Sequence, residues 1–232
     1  MTYDLFIGDA MYSSWSLRGW LCFKAFDIEA STHFVGLYSG TMAHDLAPLA
    51  PARLVPVMRT PEGVVVSESL AIAETLAEHF PDAGLWPGDP AHRATARWLC
   101  SEIATGMSAL RGQCPMQFQR IYQGFPVDAA LRKDLDRVET LWAHARAVSG
   151  AKTGWLFGRF SLADVFYTPV AARIVGYDLP VSPMARRYCA ALLGTGPVRE
   201  WRRMAATVTY DPEPYQIECA GVDWALDAPS ER

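Results

Sequence analysis

Residues 54–80, LVPVMRTPEGVVVSESLAIAETLAEHF, contain two short apolar segments followed by an amphipathic one. VPVMRT and VVVS flank PEG, in which Gly63 can take the positive φ of a tight connection between antiparallel strands. SESLAIAETLAEHF then repeats apolar residues every three to four positions, as a helix with one buried face does. The stretch therefore predicts a β-hairpin that continues directly into a helix.

The residues before this hairpin predict a strand, a helix and a second strand. YDLFIG (3–8) and THFVGL (32–37) are short apolar runs bounded by turn residues, whereas SWSLRGWLCFKAF (14–26) has helical spacing. A loose segment with room for one or two short helical turns separates the second strand from the hairpin. The order βαβ, then ββα, indicates a small α/β domain with a mixed sheet.

The residues after this helix predict a second, helical domain. PDAGLWPGDP (81–90) holds three prolines and two glycines, which is typical of a linker. Asp89 and Pro90 then form a helix start, and we expect the first long helix to extend over 89–112. No later segment has a convincing strand pattern. The predicted divisions are an α/β domain (1–81), a linker (82–89) and an all-helical domain with a C-terminal tail (90–232).

The composition excludes several classes of function. The 232 residues are 50% hydrophobic and 20% charged, with a net charge of −4, so no basic stripe indicates nucleic acid as a partner. No apolar run approaches the ~20 residues that cross a bilayer, and no basic region precedes an apolar core at the start of the chain. We therefore expect a cytoplasmic protein without a membrane partner.

Cysteine and histidine spacing argues against redox and metal chemistry. The five cysteines include no CxxC pair, which indicates reduced thiols and disfavours a thioredoxin-like oxidoreductase. The five histidines show no metal-ligand spacing, so we predict no metal site.

Three features of the first domain together suggest a site for a small peptide. Ser13 and Ser14 precede a helix, where a serine either caps the helix or binds an anion. Pro56 stands at the start of a strand, and a cis bond before it would leave the backbone of Val55 free to pair with an extended ligand. Glu68 and Ser69 open the next helix, where Ser69 is either an N-cap or a ligand for a carboxylate.

These motifs resemble those of the glutathione S-transferase family over residues 3 to 205. YSSWSLR (12–18) is similar to the Ser-Ser-Cys-Ser-x-Arg motif of the zeta class, and 54–80 resembles the stretch from the family's cis-proline to its Glu/Gln-Ser. GRFSLADVFYTPVAAR (158–173) resembles the capping box of the family's helical domain, with Ser161 and Asp164 as reciprocal caps. The resemblance implies a thioredoxin-like N-terminal domain followed by an all-α bundle, and a homodimer.

The resemblance also implies a function and a set of site residues. The enzyme would bind glutathione, stabilise its thiolate with a serine hydroxyl and add it to a small hydrophobic electrophile, with no cofactor beyond glutathione. Ser13 matches the catalytic serine of the zeta class, whereas the theta-class spacing selects Ser14, and both remain candidates. The glutathione-binding residues would be Arg53, Val55, Pro56, Glu68 and Ser69.

The electrophile would contact the first long helix of the second domain, near Met107, Leu110 and Arg111. Trp15 stands where the zeta class has its cysteine, which weakens the case for that class's cis–trans isomerisation of maleylacetoacetate. Such an isomerase, or a non-catalytic ligand-binding protein on the same fold, remains an alternative to the transferase.

Overall fold

The first part of the chain forms a four-stranded mixed sheet with three helices. In the computed structural model, which describes residues 2–152 and 154–225, the strand order is β2-β1-β3-β4. β1 pairs in parallel with β2, whereas β3 is antiparallel to both β1 and β4. The elements are β1 (Tyr3–Ile7), α1 (Ser14–Lys24), β2 (Ala30–Phe34), α2 (Met42–Leu46), β3 (Val57–Arg59), β4 (Val65–Ser67) and α3 (Ser69–His79).

Side chains along β1 alternate between buried and partly exposed, so one face of the sheet is covered by helices. Leu5 and Ile7 are fully buried, and α1 packs beside α3 with Leu17 and Leu21 completely inside the core. Gly19 permits α1 to approach the start of β3, since a Cβ there would lie 2.6 Å from the Cβ of Pro56. This close contact fixes the middle of α1 relative to the residues before β3.

The second part of the chain is helical. Its helices are α4 (Pro90–Thr105), α5 (Ser108–Gln113), α6 (Ala129–Ser149), α7 (Leu162–Gly176), α8 (Pro183–Leu193) and α9 (Gly196–Ala205). α7 lies at the centre, with nearly all its residues buried, and contacts α1, α4 and α8. Asp89 caps α4 through its side chain, as the sequence predicts.

The predicted α/β domain followed by a helical domain agrees with this architecture, but two local features differ from the prediction. The first long helix ends at Thr105, because Gly106 leaves the helical conformation and Met107 takes a positive φ of 54° before α5 begins. Two three-residue strands, β5 (Arg120–Tyr122) and β6 (Gly221–Asp223), also pair antiparallel within the helical part. Residues 226–232 of the predicted tail lie outside the described residues.

The two parts pack closely along α1. The Trp20 and Trp201 rings lie 5.4 Å apart, and the indole N–H of Trp201 donates to the carbonyl of Ala10 at 2.7 Å.

No helix within the described ranges is long and apolar enough to cross a membrane. Nor does the described part of the chain bring three or more potential metal-ligating side chains together.

Candidate functional site

A cleft of about 530 Å³ lies between the two domains, beside the N-terminal end of α1. The first domain contributes the loop into α1, the segment after β2 and the residues before β3, while α5 and α7 form the opposite wall. Its lining residues are Tyr12, Ser13, Ser14, Trp15, Leu37, Tyr38, Met42, Leu54, Val55, Ser108, Arg111, Gly112, Arg173 and Tyr215. Both predicted catalytic serines therefore face one shared cleft.

The two serines have different hydrogen bonds. Ser13 is the N-cap of α1: its hydroxyl accepts the N–H of Ser16 at 3.3 Å and donates to the Ser16 hydroxyl at 2.7 Å. Ser14 is the first residue of α1, and its hydroxyl pairs with no other described residue. Ser13 is thus committed to the cap, whereas the Ser14 hydroxyl is free to donate to a ligand.

Positive charge is concentrated behind the start of α1. Arg18 is 2% exposed, and its Nε donates to the carbonyl of Phe166 on α7 at 3.0 Å. Burial lowers the pKa of Arg18 to about 9, with further lowering from Arg173 and Arg111, so the group still carries its proton at neutral pH. The start of α1 therefore combines a free hydroxyl, helix N–H groups and a nearby cation, which together favour an anion.

Val55 presents its backbone to the cleft. The Val55–Pro56 peptide bond is cis, and the pairing of β3 with β4 begins only at Val57. Neither the N–H nor the C=O of Val55 pairs with a described residue. These groups are available to an extended ligand that runs along the edge of the cleft.

A second depression of about 350 Å³ adjoins the cleft and shares Leu54 with it. Arg53 and Glu68 line it, together with Pro51, Ala52, Val65 and Ser67. Glu68 has a φ of 74°, which is rare for a residue other than glycine and costs conformational energy. Strained residues of this kind cluster at ligand sites, which is consistent with the predicted role of Glu68.

The N-terminus of α3 is open. Glu68 is its N-cap residue but makes no side-chain cap hydrogen bond, and the hydroxyl of the 3% exposed Ser69 pairs with no described residue. The free N–H groups of the first turn therefore have a neighbouring hydroxyl and no competing cap, an arrangement suited to a carboxylate.

The residues predicted to contact the electrophile divide between core and cleft. Met107 is 5% exposed and Leu110 is fully buried, and both belong to the hydrophobic core, so they do not line the cleft. The break at Gly106 reorients the residues that follow it, because α5 starts anew at Ser108. Only Arg111 of the three predicted residues faces the cleft, together with Ser108 and Gly112.

Sequence reasoning missed Arg173 on α7. This residue is 6% exposed, lines the cleft, and donates from Nε to the carbonyl of Cys114 at 2.8 Å. Burial lowers its pKa to about 10, with Arg111 as the next cause. A single charged residue in the otherwise uncharged FYTPVAARIVG (166–176) was the available signal, since a buried arginine needs a partner or a function.

Two family models match the chain. "Glutathione S-transferase, N-terminal domain" matches residues 12–79, and "Glutathione S-transferase, C-terminal domain" matches residues 115–203. Both matched ranges contribute residues to the cleft.

Among curated relatives, the chain is similar to proteins named maleylacetoacetate isomerase or probable maleylacetoacetate isomerase. A probable maleylacetoacetate isomerase of Caenorhabditis elegans is 40% identical over 97 residues, which cover 42% of this chain and less than half (44%) of the relative. Maleylacetoacetate isomerase of Rattus norvegicus is 27% identical over 182 residues, which cover 73% of this chain and 77% of the relative.

Solved structures with a similar fold include two that contain bound glutathione. A glutathione transferase homologue from Burkholderia has a TM-score of 0.68 and 21% identity over 90% of this chain and 100% of that one. A theta class glutathione S-transferase from Xanthomonas axonopodis pv. citri has a TM-score of 0.62 and 20% identity over 89% of this chain and 98% of that one. At these identities the similarity concerns the fold.

Proposed function

This chain belongs to the glutathione S-transferase family, a family of enzymes, and from that premise we propose that it binds glutathione in the cleft and stabilises the thiolate with the Ser14 hydroxyl. The thiolate then adds to a small hydrophobic electrophile held against α5 and α7. The observation that carries the proposal is the hydroxyl of Ser14 at the start of α1, which pairs with no described residue and lies in the same cleft as Val55, whose backbone groups likewise pair with none of the described residues.

The groups around Ser14 favour ionisation of the bound thiol. A free cysteinyl thiol has a pKa of about 8.5, so only a few per cent is thiolate at neutral pH. Donation from Ser14, the N–H groups of α1 and the charge of Arg18 all stabilise the anion, and the thiol proton passes to solvent. The sulfur electron pair then forms the bond to the electrophilic carbon, from which a leaving group departs in a substitution.

The remaining predicted residues hold the tripeptide. The open N-terminus of α3 and the Ser69 hydroxyl would bind the γ-glutamyl carboxylate, while the Glu68 carboxylate pairs with the neighbouring ammonium. Val55 would exchange backbone hydrogen bonds with the cysteinyl residue, and Arg53 would pair with the glycyl carboxylate.

A second candidate function is glutathione-dependent cis–trans isomerisation of the maleylacetoacetate type. Arg111 and Arg173 both face the cleft, and neither forms an ion pair within the described residues. Two such cations suit a dicarboxylate such as maleylacetoacetate. Addition of the thiolate to the double bond would permit rotation, and elimination would regenerate glutathione. Trp15, where the resembling motif has cysteine, weighs against this candidate.

The cysteines fit a reducing compartment. All five are free thiols, and four of them are buried. Burial raises the pKa of both Cys22 and Cys114 to about 12, so these thiols stay protonated and unreactive. We accordingly assign the activity to the cytoplasm.

The test is a thiol-consumption screen of the full chain with glutathione against aryl halides, epoxides and hydroperoxides. A parallel assay follows the isomerisation of maleylacetone. Turnover of an aryl halide or epoxide supports the transferase, and isomerisation that is selectively lost in Arg173→Leu supports the second candidate. Glutathione binding by calorimetry without turnover of any substrate would identify a non-catalytic ligand-binding protein, and absence of glutathione binding would overturn the proposal.

A further inference from the structure

Tyr12, which immediately precedes the two serines, is held by residues from the other end of the chain. Its phenol hydroxyl donates to the carbonyl of Tyr210 at 2.9 Å and to Asp211 Oδ1 at 3.2 Å. Its carbonyl accepts the hydroxyl of Tyr215 at 3.3 Å. The segment 206–225, here called the C-terminal segment, therefore contacts both the side chain and the backbone of Tyr12.

Four aromatic rings pack together at this contact. Tyr12 and Tyr215 have ring centroids 4.3 Å apart, and Tyr38 and Tyr210 lie within 6.4 Å of their neighbours in the same group. The Tyr38 hydroxyl donates to the Tyr215 hydroxyl at 2.7 Å, which leaves the Tyr215 proton for the carbonyl of Tyr12. Tyr12, Tyr38, Tyr210 and Tyr215 are here called the tyrosine cluster.

The carbonyl of Tyr12 connects the tyrosine cluster to the candidate catalytic serine. This oxygen accepts the backbone N–H of Ser14 at 3.1 Å as well as the hydroxyl of Tyr215. On its other side, the N–H of Tyr12 donates to Asp9 Oδ1 at 2.8 Å, and Asp9 Oδ2 accepts the hydroxyl of Tyr210 at 2.9 Å. Both peptide groups that flank Tyr12 are thus fixed, directly or through Asp9, by the C-terminal segment.

The C-terminal segment is anchored beyond the tyrosine cluster as well. β6 pairs with β5, and the N–H of Trp224 donates to the carbonyl of Gln119 at 2.9 Å. Tyr215 lies between this anchor and α9, where it also lines the cleft. The segment therefore contacts both the helical domain and the turn that begins α1, and Tyr215 is its residue that lines the cleft.

We infer that Tyr215 is a positioning residue for the Ser14 hydroxyl: by holding the carbonyl of Tyr12, it fixes the turn from which Ser14 faces the sulfur of bound glutathione. This inference rests on the proposed function. It assigns the C-terminal segment a part in thiol activation, although about 200 residues separate Tyr215 from Ser14. A displacement of well under 1 Å in this turn would lengthen a donor–sulfur hydrogen bond and weaken its effect on the thiol.

The experiment compares three phenylalanine variants of the full chain. Tyr215→Phe keeps the ring but removes its donated and accepted hydrogen bonds, and Tyr38→Phe removes, among bonds to described residues, the one to Tyr215. Tyr3→Phe is the matched control, because it loses a tyrosine hydrogen bond to His79 at 2.7 Å that lies in the first domain outside the cleft. The pKa of bound glutathione is titrated by ultraviolet thiolate absorbance, and glutathione affinity is measured by calorimetry.

We expect Tyr215→Phe to raise the pKa of the bound thiol by about half a unit or more, a roughly threefold loss of thiolate at neutral pH. Tyr38→Phe should give a smaller rise, and Tyr3→Phe none. An unchanged thiol pKa in Tyr215→Phe, even with weaker glutathione binding, would overturn the inference and leave Tyr215 as a wall of the cleft. Equal rises in Tyr215→Phe and Tyr3→Phe would also overturn it. If wild type itself does not lower the thiol pKa, the proposed function fails instead.

Discussion

At the residue scale, Trp15 contacts two positively charged side chains near the start of α1, of which Arg111 lines the cleft and Arg18 is buried. Arg18 lies 4.4 Å from the centroid of its ring and Arg111 lies 5.1 Å from it. Each contact is a cation–π interaction, which offsets part of the repulsion between the two guanidinium groups. Because no described carboxylate pairs with either arginine, the remaining field favours an anion in the cleft. The proposed thiolate supplies that anion next to Ser14.

Substitution of the two serines should separate the cap from the thiol donor. Ser14→Ala should raise the pKa of bound glutathione by about one unit, because the free hydroxyl is lost, while glutathione affinity stays nearly unchanged. Ser13→Ala should mainly lower the free energy of unfolding, by about 1 kcal/mol, since it removes the cap of α1. Thiolate titration and urea unfolding measure the two effects. A thiol pKa that rises only in Ser13→Ala would assign the donor role to Ser13.

Ser69→Ala should weaken glutathione binding several-fold, equivalent to about 1 kcal/mol for one lost hydrogen bond to the γ-glutamyl carboxylate. Thr75→Ala is the matched control on α3, because the Thr75 hydroxyl donates to the carbonyl of Ala71 and lies outside the proposed site. Isothermal calorimetry with glutathione compares the two variants. Unchanged affinity in Ser69→Ala would reduce Ser69 to a buried helix-start residue.

At the element scale, an element was predictable from the sequence when its signals lie within the element itself, and not when it depends on a partner far away in the chain. The hairpin, α3 and the start of α4 were predictable because their signals, Gly63, the apolar stripe and Asp89–Pro90, lie within each element. The sequence prediction missed the start of a separate α5 after Gly106, although a glycine within a helical pattern was a signal for the break. Because α5 was missed, the burial of Leu110 was missed too. β5 and β6 were not predictable, since each has three residues and its partner is about 100 residues away. A separation of about 200 residues likewise hid Tyr215, which reaches the site through tertiary packing.

The capping box at α7 should contribute to the stability of the helical domain more than an exposed helix cap does. Asp164 accepts the N–H of Ser161 at 2.9 Å and the hydroxyl of Tyr188 at 2.7 Å, with no exposed surface. Asp164→Ala should lower the free energy of unfolding by about 2–4 kcal/mol, because it leaves buried donors unpaired. Asp128→Ala, which removes the exposed cap of α6, should cost only about 1 kcal/mol by the same urea measurement.

The difference in the free energy of unfolding between wild type and Asp164→Ala should depend on pH, which gives a second test of the role of Asp164. Burial raises its pKa to about 6, despite its hydrogen bonds to Tyr188, Leu156 and Ser161. The folded state therefore binds the proton more tightly than the unfolded state does, and the resulting stability is present below about pH 4 and lost as the pH rises through 6. The free energy of unfolding of wild type should therefore exceed that of Asp164→Ala by more at pH 4 than at pH 7. A gap that narrows would show that the pKa of Asp164 is lowered by folding.

At the scale of the whole molecule, exposed apolar side chains occur on both domains. Leu54 and Val64 of the first domain are 60% and 57% exposed, and Trp98 on α4 is 45% exposed. In the homodimer that the family resemblance implies, the first domain of one subunit packs on the helical domain of the other. The exposed side chains of both domains provide apolar surface for such a contact, since large exposed hydrophobic groups often mark protein interfaces.

We therefore predict a homodimer with Trp98 in its interface. Light scattering at micromolar concentration should give twice the chain mass of 25.6 kDa for the wild type. Trp98→Glu should shift the mass toward one chain, because it replaces apolar surface with a charge next to Glu102, whose carboxylate Trp98 now contacts at 2.8 Å. Met184 on α8 is similarly exposed, at 49%, so Met184→Glu is the control and should remain dimeric. A wild-type mass of one chain would refute the dimer, and equal dissociation of both variants would remove Trp98 from the interface.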